Sequence, residues 1–331
     1  MKHSNISIFI PHVGCPHQCS FCDQRTISGA QHLPDEKEVR EICEKALYEV
    51  KSPEDTEIAF FGGSFTAIPR DYMHELLDAA KDYVGVGKFK GIRCSTRPDC
   101  IDFEILSILA RSGVTAIELG AQSMSDKVLE MNERGHTAAD VEKSSAMIKQ
   151  WGFELGLQMM IGLYGSSRED ELLTMHKIAD LKPDTVRIYP TVILRGTKLE
   201  KLLESGDYIP LPFEDVVDIA ASGLVMFEGN GIRVIKCGLH ASEFVEKDMI
   251  GGYYHPAFRE LCEGMIYRYN MNFQIEQSIK SRRYVFAVAP SCLSKAIGQK
   301  KSNIQYFAQK GIEIELIGDY SIPKYQCELR R

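Results

Sequence analysis

Short apolar runs alternate with segments of helical period between residues 6 and 194, and this alternation limits the fold more than any other feature. Each apolar run has the length of a strand, and the segments between the runs repeat apolar residues every three or four positions. Strand and helix in alternation are typical of right-handed βα units around a parallel sheet, so we predict an α/β fold. The predicted strands are residues 6–10, 57–62, 91–96, 116–121, 155–163 and 185–194, and the clearest helices are residues 36–50, 73–84, 103–113 and 138–152.

The alternation by itself fits a doubly wound open sheet and a closed or partial barrel equally well. In both architectures, functional residues lie on the loops that follow the carboxyl ends of the strands. Residues directly after the predicted strands are therefore the first candidates for a functional site.

Three cysteines follow the first predicted strand: Cys15, Cys19 and Cys22 form a C-x3-C-x2-C run. Thiolates at this spacing suit Zn²⁺ or an iron–sulfur cluster. A structural zinc needs a fourth ligand, for which His12 and His17 are candidates, whereas three cysteines on four irons leave one iron open to a reactive ligand. The other seven cysteines are scattered singly and are predicted to be small buried hydrophobic residues: Cys43, Cys94, Cys100, Cys237, Cys262, Cys292 and Cys327.

Composition and charge narrow the functional classes. No apolar run is long enough to span a membrane, and residues 1–10 do not look like a signal peptide, so we expect no membrane association. Ten cysteines without an export signal predict a reducing, cytoplasmic location. Residues 270–331 carry ten Lys/Arg and five Asp/Glu, a local charge of +5. Because the net charge of the chain is −7, residues 1–269 carry a charge of −12. A basic tail on an acidic body suggests separate roles for the two parts.

Further motifs follow the later strands in order. They are "FFGGSFTAIP" (60–69), "STRPDCID" (95–102), "ELGAQS" (118–123), "NERGHT" (132–137), "LQMMIGLYG" (157–165) and "RIYPTVILRGTKL" (187–199). Together with the cysteine run, they resemble the radical S-adenosylmethionine (radical SAM) enzymes. The resemblance is to the branch that contains the Elongator catalytic subunit and the oxygen-independent coproporphyrinogen oxidases.

The resemblance implies a fold, two cofactors and a reaction class. The fold would be a partial (β/α)6 TIM-type barrel. Cys15, Cys19 and Cys22 would hold a [4Fe–4S] cluster and take part in catalysis, with S-adenosylmethionine bound to the open iron. An electron from a donor such as flavodoxin or ferredoxin would cleave S-adenosylmethionine reductively to a 5′-deoxyadenosyl radical, which removes hydrogen from the substrate.

The resemblance also implies cosubstrate-binding residues. Gly62 and Gly63 would let the backbone approach the methionine amino group, or simply form a tight turn. Ser64 and Thr66 would add hydroxyl contacts or cap the next helix. The remaining candidates are Arg97 and Asp99, which are alternatively a surface ion pair, together with Gln122, Arg134 and Gln158. Gln158 interrupts an apolar run, and a buried amide needs a polar partner.

After about residue 240 the βα alternation stops. We predict a core at residues 1–240 and a C-terminal lobe at 241–331 with the order α-β-β-α-α-β, including a helix at 255–270 and a strand at 272–278. This order resembles a type II KH domain, which clamps nucleotides with a G-x-x-G loop. The corresponding loop is Gly298, Gln299, Lys300 and Lys301, with lysine in place of the second glycine. The alternative is a structural cap on the barrel.

We therefore predict a radical SAM enzyme that modifies an RNA base, with tRNA as the expected partner. Two alternatives remain: a radical SAM enzyme acting on a small molecule such as a porphyrin precursor, and a non-catalytic iron–sulfur or zinc protein that binds RNA. Nothing in the sequence resembles the acetyltransferase domain of the Elongator subunit. The resemblance therefore implies the reaction class and leaves the substrate open.

Overall fold

The computed structural model describes residues 4–11, 13–29, 32–239 and 243–330, and its central feature is a parallel sheet of seven strands. The strands pair in the order β1-β2-β3-β4-β5-β6-β8, so each neighbour in the sheet is also the next main strand along the chain. A doubly wound sheet would reverse its strand order, whereas this order is that of a barrel wall. The predicted α/β partial barrel is confirmed. The strands of this part are β1 Ser4–Ile10, β2 Thr56–Gly62, β3 Gly91–Thr96, β4 Val114–Gln122, β5 Glu154–Ile161, β6 Thr185–Pro190, β7 Val192–Leu194, β8 Arg233–Cys237 and β9 Met249–Gly252.

Two details of the sheet differ from the prediction. The seventh parallel strand, β8, was not predicted, and it pairs with β6 from Thr185–Arg233 to Ile188–Cys237. The predicted strand at 185–194 is divided at Thr191 into β6 in the main sheet and β7, which pairs antiparallel with β9 outside it.

Helices cover the outer face of the sheet and bury its apolar side chains. Three of them, α2, α6 and α7, begin with capping boxes at Asp35, Thr137 and Ser167, in which side chains satisfy the free backbone amides of the first turn. The helices are α1 Gln24–Ser28, α2 Glu36–Glu49, α3 Arg70–Lys81, α4 Phe103–Arg111, α5 Asp126–Met131, α6 Ala138–Gln150, α7 Arg168–Asp180, α8 Lys198–Ser205, α9 Phe213–Gly229 and α10 Glu243–Asp248. Within the described ranges, no helix is long and apolar enough to cross a membrane.

The C-terminal lobe packs against the core through one long helix. Helix α11, Phe258–Glu276, lies against α9, and a small sheet in the order β11-β10-β12 follows it. The strands β10 and β11 are parallel, and β10 and β12 are antiparallel. The remaining elements are β10 Arg283–Val288, α12 Leu293–Ile297, α13 Ser302–Gln309, β11 Glu313–Gly318 and β12 Cys327–Arg330.

The predicted order of this lobe is wrong in one element. Residues 272–276 of the expected strand continue helix α11, so the observed order is α-β-α-α-β-β. The β-α-α-β centre around residues 298–301 is present, but the strand expected before it is replaced by β12 at the end of the chain. The KH-like assignment and the division near residue 240 stay predictions.

Candidate active site

The carboxyl ends of β1 to β6 surround a cavity of about 270 Å³. The cysteine loop after β1 forms one side of the cavity. Residues of β6 and β7, with Leu239 and Val245, form an apolar side. Most of the predicted site residues line this cavity: Cys15, Cys22, Gly62, Gly63, Ser64, Arg97, Gln122, Arg134 and Gln158. Cys19, Thr66 and Asp99 do not line the cavity, but each forms a hydrogen bond with a residue that does.

The three thiols of the cysteine loop lie near one another. Burial raises the pKa of Cys15, and burial together with the neighbouring Cys19 and Cys15 raises the pKa of Cys22 to about 12. Cys19 is buried and accepts a hydrogen bond from Arg134 Nη1 at 3.1 Å. Arg134 therefore connects the cysteine loop to the motif at residues 132–137.

The glycine turn after β2 brings the backbone against the cysteine loop. Gly63 N donates to Ile10 O at 2.7 Å. A Cβ on Gly63 would lie 2.0 Å from Val13 O, and one on Gly62 would lie 2.6 Å from Ile10 O. Both glycines are therefore required for the close approach of the loop that carries Cys15. This observation supports the alternative in which Gly62 and Gly63 form a tight turn. Contact of this turn with a methionine amino group stays a prediction.

Hydroxyl groups connect the second and third strands beneath the cavity. Ser64 Oγ and Thr66 Oγ1 lie 2.8 and 2.6 Å from Thr96 Oγ1, and Thr66 Oγ1 also donates to Cys100 O at 2.7 Å. Ser64 forms no side-chain helix cap. Its Oγ accepts from Arg97 N at 3.2 Å, so Ser64 positions the backbone that carries the next site residue.

Arg97 and Asp99 form a close pair at the cavity edge. Arg97 Nε and Nη2 donate to the two Asp99 carboxylate oxygens at 2.9 and 2.8 Å. Only 4% of Arg97 is exposed, whereas Asp99 is an exposed residue, so the pair lies at the surface with its guanidinium buried. Asp99 fixes the guanidinium plane and leaves Nη1 buried without a partner in the described part of the chain.

Gln122 and Arg134 present further unpaired polar atoms. Gln122 ends β4 with a backbone φ of +64°, a value that residues other than glycine rarely adopt. Its Oε1 and Arg134 Nε are buried, and neither has a hydrogen-bond partner among the described residues. Buried polar atoms without partners are costly, so their clustering beside one cavity indicates a site for a polar ligand.

Gln158 has a partner on the cavity floor. Its Nε2 donates to Glu118 Oε2 at 2.8 Å, and Arg187 Nε and Nη2 donate to the same carboxylate at 2.7 and 2.9 Å. Burial acts to raise the pKa of Glu118, but Arg187 and Arg93 hold it below its usual range. Neither Glu118 nor Arg187 was singled out from the sequence, although each lies on a predicted strand and is the first residue of a motif given above.

Ser20 and Asn132 were also missed, and together they hold the cysteine loop. Ser20 Oγ donates to Asn132 Oδ1 at 2.7 Å, and Ser20 N donates to Asn132 O at 3.2 Å. Asn132 Nδ2 donates to Val128 O and Tyr164 O at 2.8 and 2.9 Å. Both side chains are fully buried. The only sequence signal was their position inside quoted motifs.

His136, in the same motif as Arg134, is buried and does not line the cavity. Burial, with Arg134 and Arg97 nearby, lowers its pKa to about 4, so the imidazole is neutral. One ring nitrogen lies 3.2 Å from Ala121 O, and Nδ1 is without a partner among the residues described.

The other sequence predictions lie away from the cavity. His12 is outside the described residues, and His17 is exposed at the edge of the cysteine loop. The loop Gly298–Lys301 lies in the lobe and does not line the cavity. Five of the seven single cysteines are buried, as predicted, whereas Cys100 and Cys327 are partly exposed.

The donor chemistry fits an iron–sulfur cluster. In the ranges that the structure describes, no three His, Cys, Asp or Glu side chains are arranged to hold a single metal ion. In a cluster each thiolate binds its own iron, so three cysteines that hold a cluster would not need to converge on one ion. The unpaired atoms of Arg97, Gln122 and Arg134 provide donors and an acceptor beside these thiols.

Comparisons with known proteins identify the family. Residues 9–178 match the Radical SAM superfamily and residues 183–268 match the Radical_SAM C-terminal domain. An uncharacterized protein of Methanocaldococcus jannaschii is 31% identical over 64% of this chain and 68% of its own length. The tRNA uridine(34) acetyltransferase of Dehalococcoides mccartyi is 24% identical over 62% of this chain, which spans only 52% of that protein.

The solved structures agree at the level of fold. Elp3 from the archaeon Methanocaldococcus infernus, with its N-terminus deleted, superposes with a TM-score of 0.61 at 18% identity, over 85% of this chain and 65% of that chain. The chain belongs to the radical SAM superfamily, whose enzymes use a [4Fe–4S] cluster and S-adenosylmethionine.

Proposed function

We propose that this radical SAM enzyme modifies a base of RNA, with tRNA as its substrate class. A relative named for a reaction on a tRNA uridine supports this direction. The matched region is about half of that relative, so the proposal extends to radical chemistry on RNA and not to acetyl transfer.

The observation that carries the proposal is the charge of the lobe. Residues 277–312 contain seven Lys/Arg and no Asp or Glu, in a chain of net charge −7. Such a segment attracts a phosphate backbone. A small anionic substrate has to enter the cavity to react, whereas these cations lie outside the cavity lining.

We assign the cavity residues as follows. Cys15, Cys19 and Cys22 hold the cluster, which when bound supplies the electron for reductive cleavage of S-adenosylmethionine and so the radical chemistry. Arg97 and Gln122 offer unpaired atoms to the polar groups of the cosubstrate, beside Arg134, Gln158 and the Gly62–Gly63 turn. Asp99, Ser64 and Thr66 position these groups.

The apolar side of the cavity accommodates the substrate base and excludes water. Met160, Pro190, Val192 and Leu194 supply this surface. A reduced flavodoxin or ferredoxin serves as the electron donor. The loop Gly298–Lys301 contacts the RNA backbone.

The test is a complete reaction followed by nucleoside analysis. Anaerobically reconstituted enzyme is incubated with dithionite, S-adenosylmethionine and bulk tRNA. The tRNA is then digested to nucleosides, which are separated and their masses measured by mass spectrometry. We expect a nucleoside of changed mass and RNA-stimulated release of 5′-deoxyadenosine. Cys15→Ala should abolish both, whereas Cys43→Ala, which removes a buried thiol from α2, should abolish neither.

The small-molecule alternative predicts a different pattern. Release of 5′-deoxyadenosine stimulated by a porphyrin precursor and not by RNA, with no altered nucleoside, would overturn the proposal.

A further inference from the structure

Helix α11 exposes two large aromatic side chains on one face. Tyr269 and Phe273 lie four residues apart and are 50% and 65% exposed. A third ring, Tyr306 of α13, lies against the neighbouring stripe of α11, where its hydroxyl accepts a hydrogen bond from Asn272 Nδ2 at 3.0 Å. Large aromatic side chains are normally buried, so a group of them on a surface indicates a contact with a partner.

Two cations lie within this aromatic group. The Arg268 guanidinium lies 4.8 Å and Lys310 Nζ 4.2 Å from the centre of the Tyr306 ring. Arg268 Nε donates to Asn303 Oδ1 at 2.9 Å, and neither cation forms an ion pair with a carboxylate in the described part of the chain. We call these five residues, Arg268, Tyr269, Phe273, Tyr306 and Lys310, the α11–α13 face.

The α13 side of the face is positive, whereas the α11 side also has carboxylates, Asp218 beside Tyr269 and the exposed Glu276 at the end of the helix. Helix α13 contains no acidic residue, and it lies within the acid-free segment 277–312. The loop Gly298–Lys301 leads directly into α13, so its two lysines adjoin the same helix.

One end of the face adjoins the edge of the barrel at which the cavity opens. The Tyr269 hydroxyl interacts with Asp218, which also accepts a hydrogen bond from Arg168 Nη2 at 2.5 Å. Arg168 begins α7, just after the carboxyl end of β5, and β5 supplies Gln158 to the cavity. The Tyr269 end of the face therefore lies on the same side of the barrel as the loops that line the cavity.

We propose that the α11–α13 face binds a single-stranded segment of the RNA substrate, an inference that rests on the function proposed above. Exposed aromatic rings stack on bases of any sequence, and a guanidinium plane does the same. Tyr269 and Phe273 provide the open rings, Arg268 provides a planar cation held against Tyr306, and Lys310 contacts phosphate. An acidic protein partner would use the cations but would not need the stacking rings.

Binding is measured by fluorescence anisotropy with a labelled single-stranded RNA and with bulk tRNA, at low and at moderate salt. The aromatic variant Tyr269→Ala/Phe273→Ala should weaken RNA binding about tenfold or more, because stacking is lost from two rings. The charge variant Arg268→Gln/Lys310→Gln should weaken binding and make the log–log salt slope less steep by up to about 1.4.

Matched controls separate stacking and charge from general surface effects. Phe103→Ala removes a phenylalanine of the same 65% exposure from α4, and Lys45→Gln/Lys143→Gln removes two exposed cations from α2 and α6. Both controls should bind RNA as the wild type does. Thermal unfolding and uncoupled cleavage of S-adenosylmethionine check that every variant is folded.

The outcomes distinguish the two proposals. If the folded face variants bind and modify RNA like the wild type, the proposal that the face binds RNA is wrong, whereas the proposed RNA-modifying function is supported. If the wild type binds RNA through the face but alters no nucleoside, RNA binding by the face is supported and the proposed reaction is wrong. If the face variants lose binding to an acidic flavodoxin but bind RNA like the wild type, the face is not an RNA site.

Discussion

The link between Ser20 and Asn132 should decide how long the enzyme retains its cluster. Ser20 lies between Cys19 and Cys22, which we propose to hold the cluster. Within the described residues, its hydroxyl is the only side-chain donor to Asn132 Oδ1. Ser20→Ala leaves that buried oxygen unsatisfied while the backbone contact from Ser20 N remains.

The structure sets the size of the effect. A buried acceptor without a partner costs about 1–3 kcal/mol, and each 1.4 kcal/mol is a tenfold change in an equilibrium. Because the cost falls on the ordered form of the cysteine loop, Ser20→Ala should increase the fraction of open loops about fivefold to a hundredfold. Asn132→Asp should open the loop more than Ser20→Ala does. It keeps the acceptor for Ser20 but places an oxygen against Val128 O and Tyr164 O, to which the Asn132 amide donates.

The assay follows loss of iron from the reconstituted protein to a chelator under anaerobic conditions. The matched control is Ser145→Ala, which removes a buried serine hydroxyl that has no recorded partner in the described ranges. We expect iron loss to accelerate in Ser20→Ala and to stay unchanged in Ser145→Ala. Equal rates in the two variants and the wild type, at equal thermal stability, would refute the assigned role of this link.

Three further predictions concern the glycine turn, a buried carboxyl group and the lobe loop. Gly63→Ala should lower iron content, because its Cβ would lie 2.0 Å from Val13 O and displace the loop before Cys15. Burial raises the pKa of Glu171 from 4.5 to about 7, so its neutral form stabilises the fold at low pH, and this stability is lost as pH rises through about 7. Glu171→Gln, whose amide oxygen can accept the same two hydrogen bonds, should unfold like the wild type at pH near 5 and be more stable, by at most about 3 kcal/mol, at pH near 8. Lys300→Asp/Lys301→Asp should weaken RNA binding and leave iron content and uncoupled cosubstrate cleavage unchanged, because these depend on the barrel.

Each of these has a result that would contradict it. Full iron content in Gly63→Ala would show that the loop tolerates the added methyl group. A stability difference for Glu171→Gln that does not change with pH would mean that the buried carboxyl does not titrate in this range. RNA affinity unchanged in the double lysine variant would support the structural-cap alternative for the loop.

The alternation of apolar runs was sufficient to predict six of the sheet strands, because strands buried on both faces are continuous apolar runs. It failed where the local pattern is ambiguous. Strand β8 is short and carries Arg233 and Lys236, so it does not read as an apolar run. The false strand at 272–278 arose because Phe273 and Ile275 alternate with polar residues. In the structure Phe273 is an exposed side chain of a helix, so the alternation did not mark the buried face of a sheet.

The candidate site was predictable where chemistry lies in one short segment, as in the cysteine run. It was not predictable where a group is defined by a distant partner. Arg134 was assigned to the cosubstrate from its motif, yet its Nη1 and Nη2 bind Cys19 Sγ and Gly120 O. The Ser20–Asn132 contact joins residues 112 positions apart, and no local pattern encodes such a pairing.

The strained backbone at Gln122 connects these observations. A residue other than glycine at φ +64° costs free energy, about 1 kcal/mol or more, and here its side-chain oxygen is also buried without a partner among the described residues. Arg134 Nη2 holds Gly120 O at 2.7 Å, two residues before the strained position, and thereby helps to fix the end of β4. The same guanidinium contacts Cys19 Sγ at 3.1 Å, so one side chain connects the end of β4 to the cysteine loop. Because a bound polar ligand would satisfy Gln122 Oε1 and Arg134 Nε together, ligand binding at the cavity and order in the cysteine loop should stabilise each other.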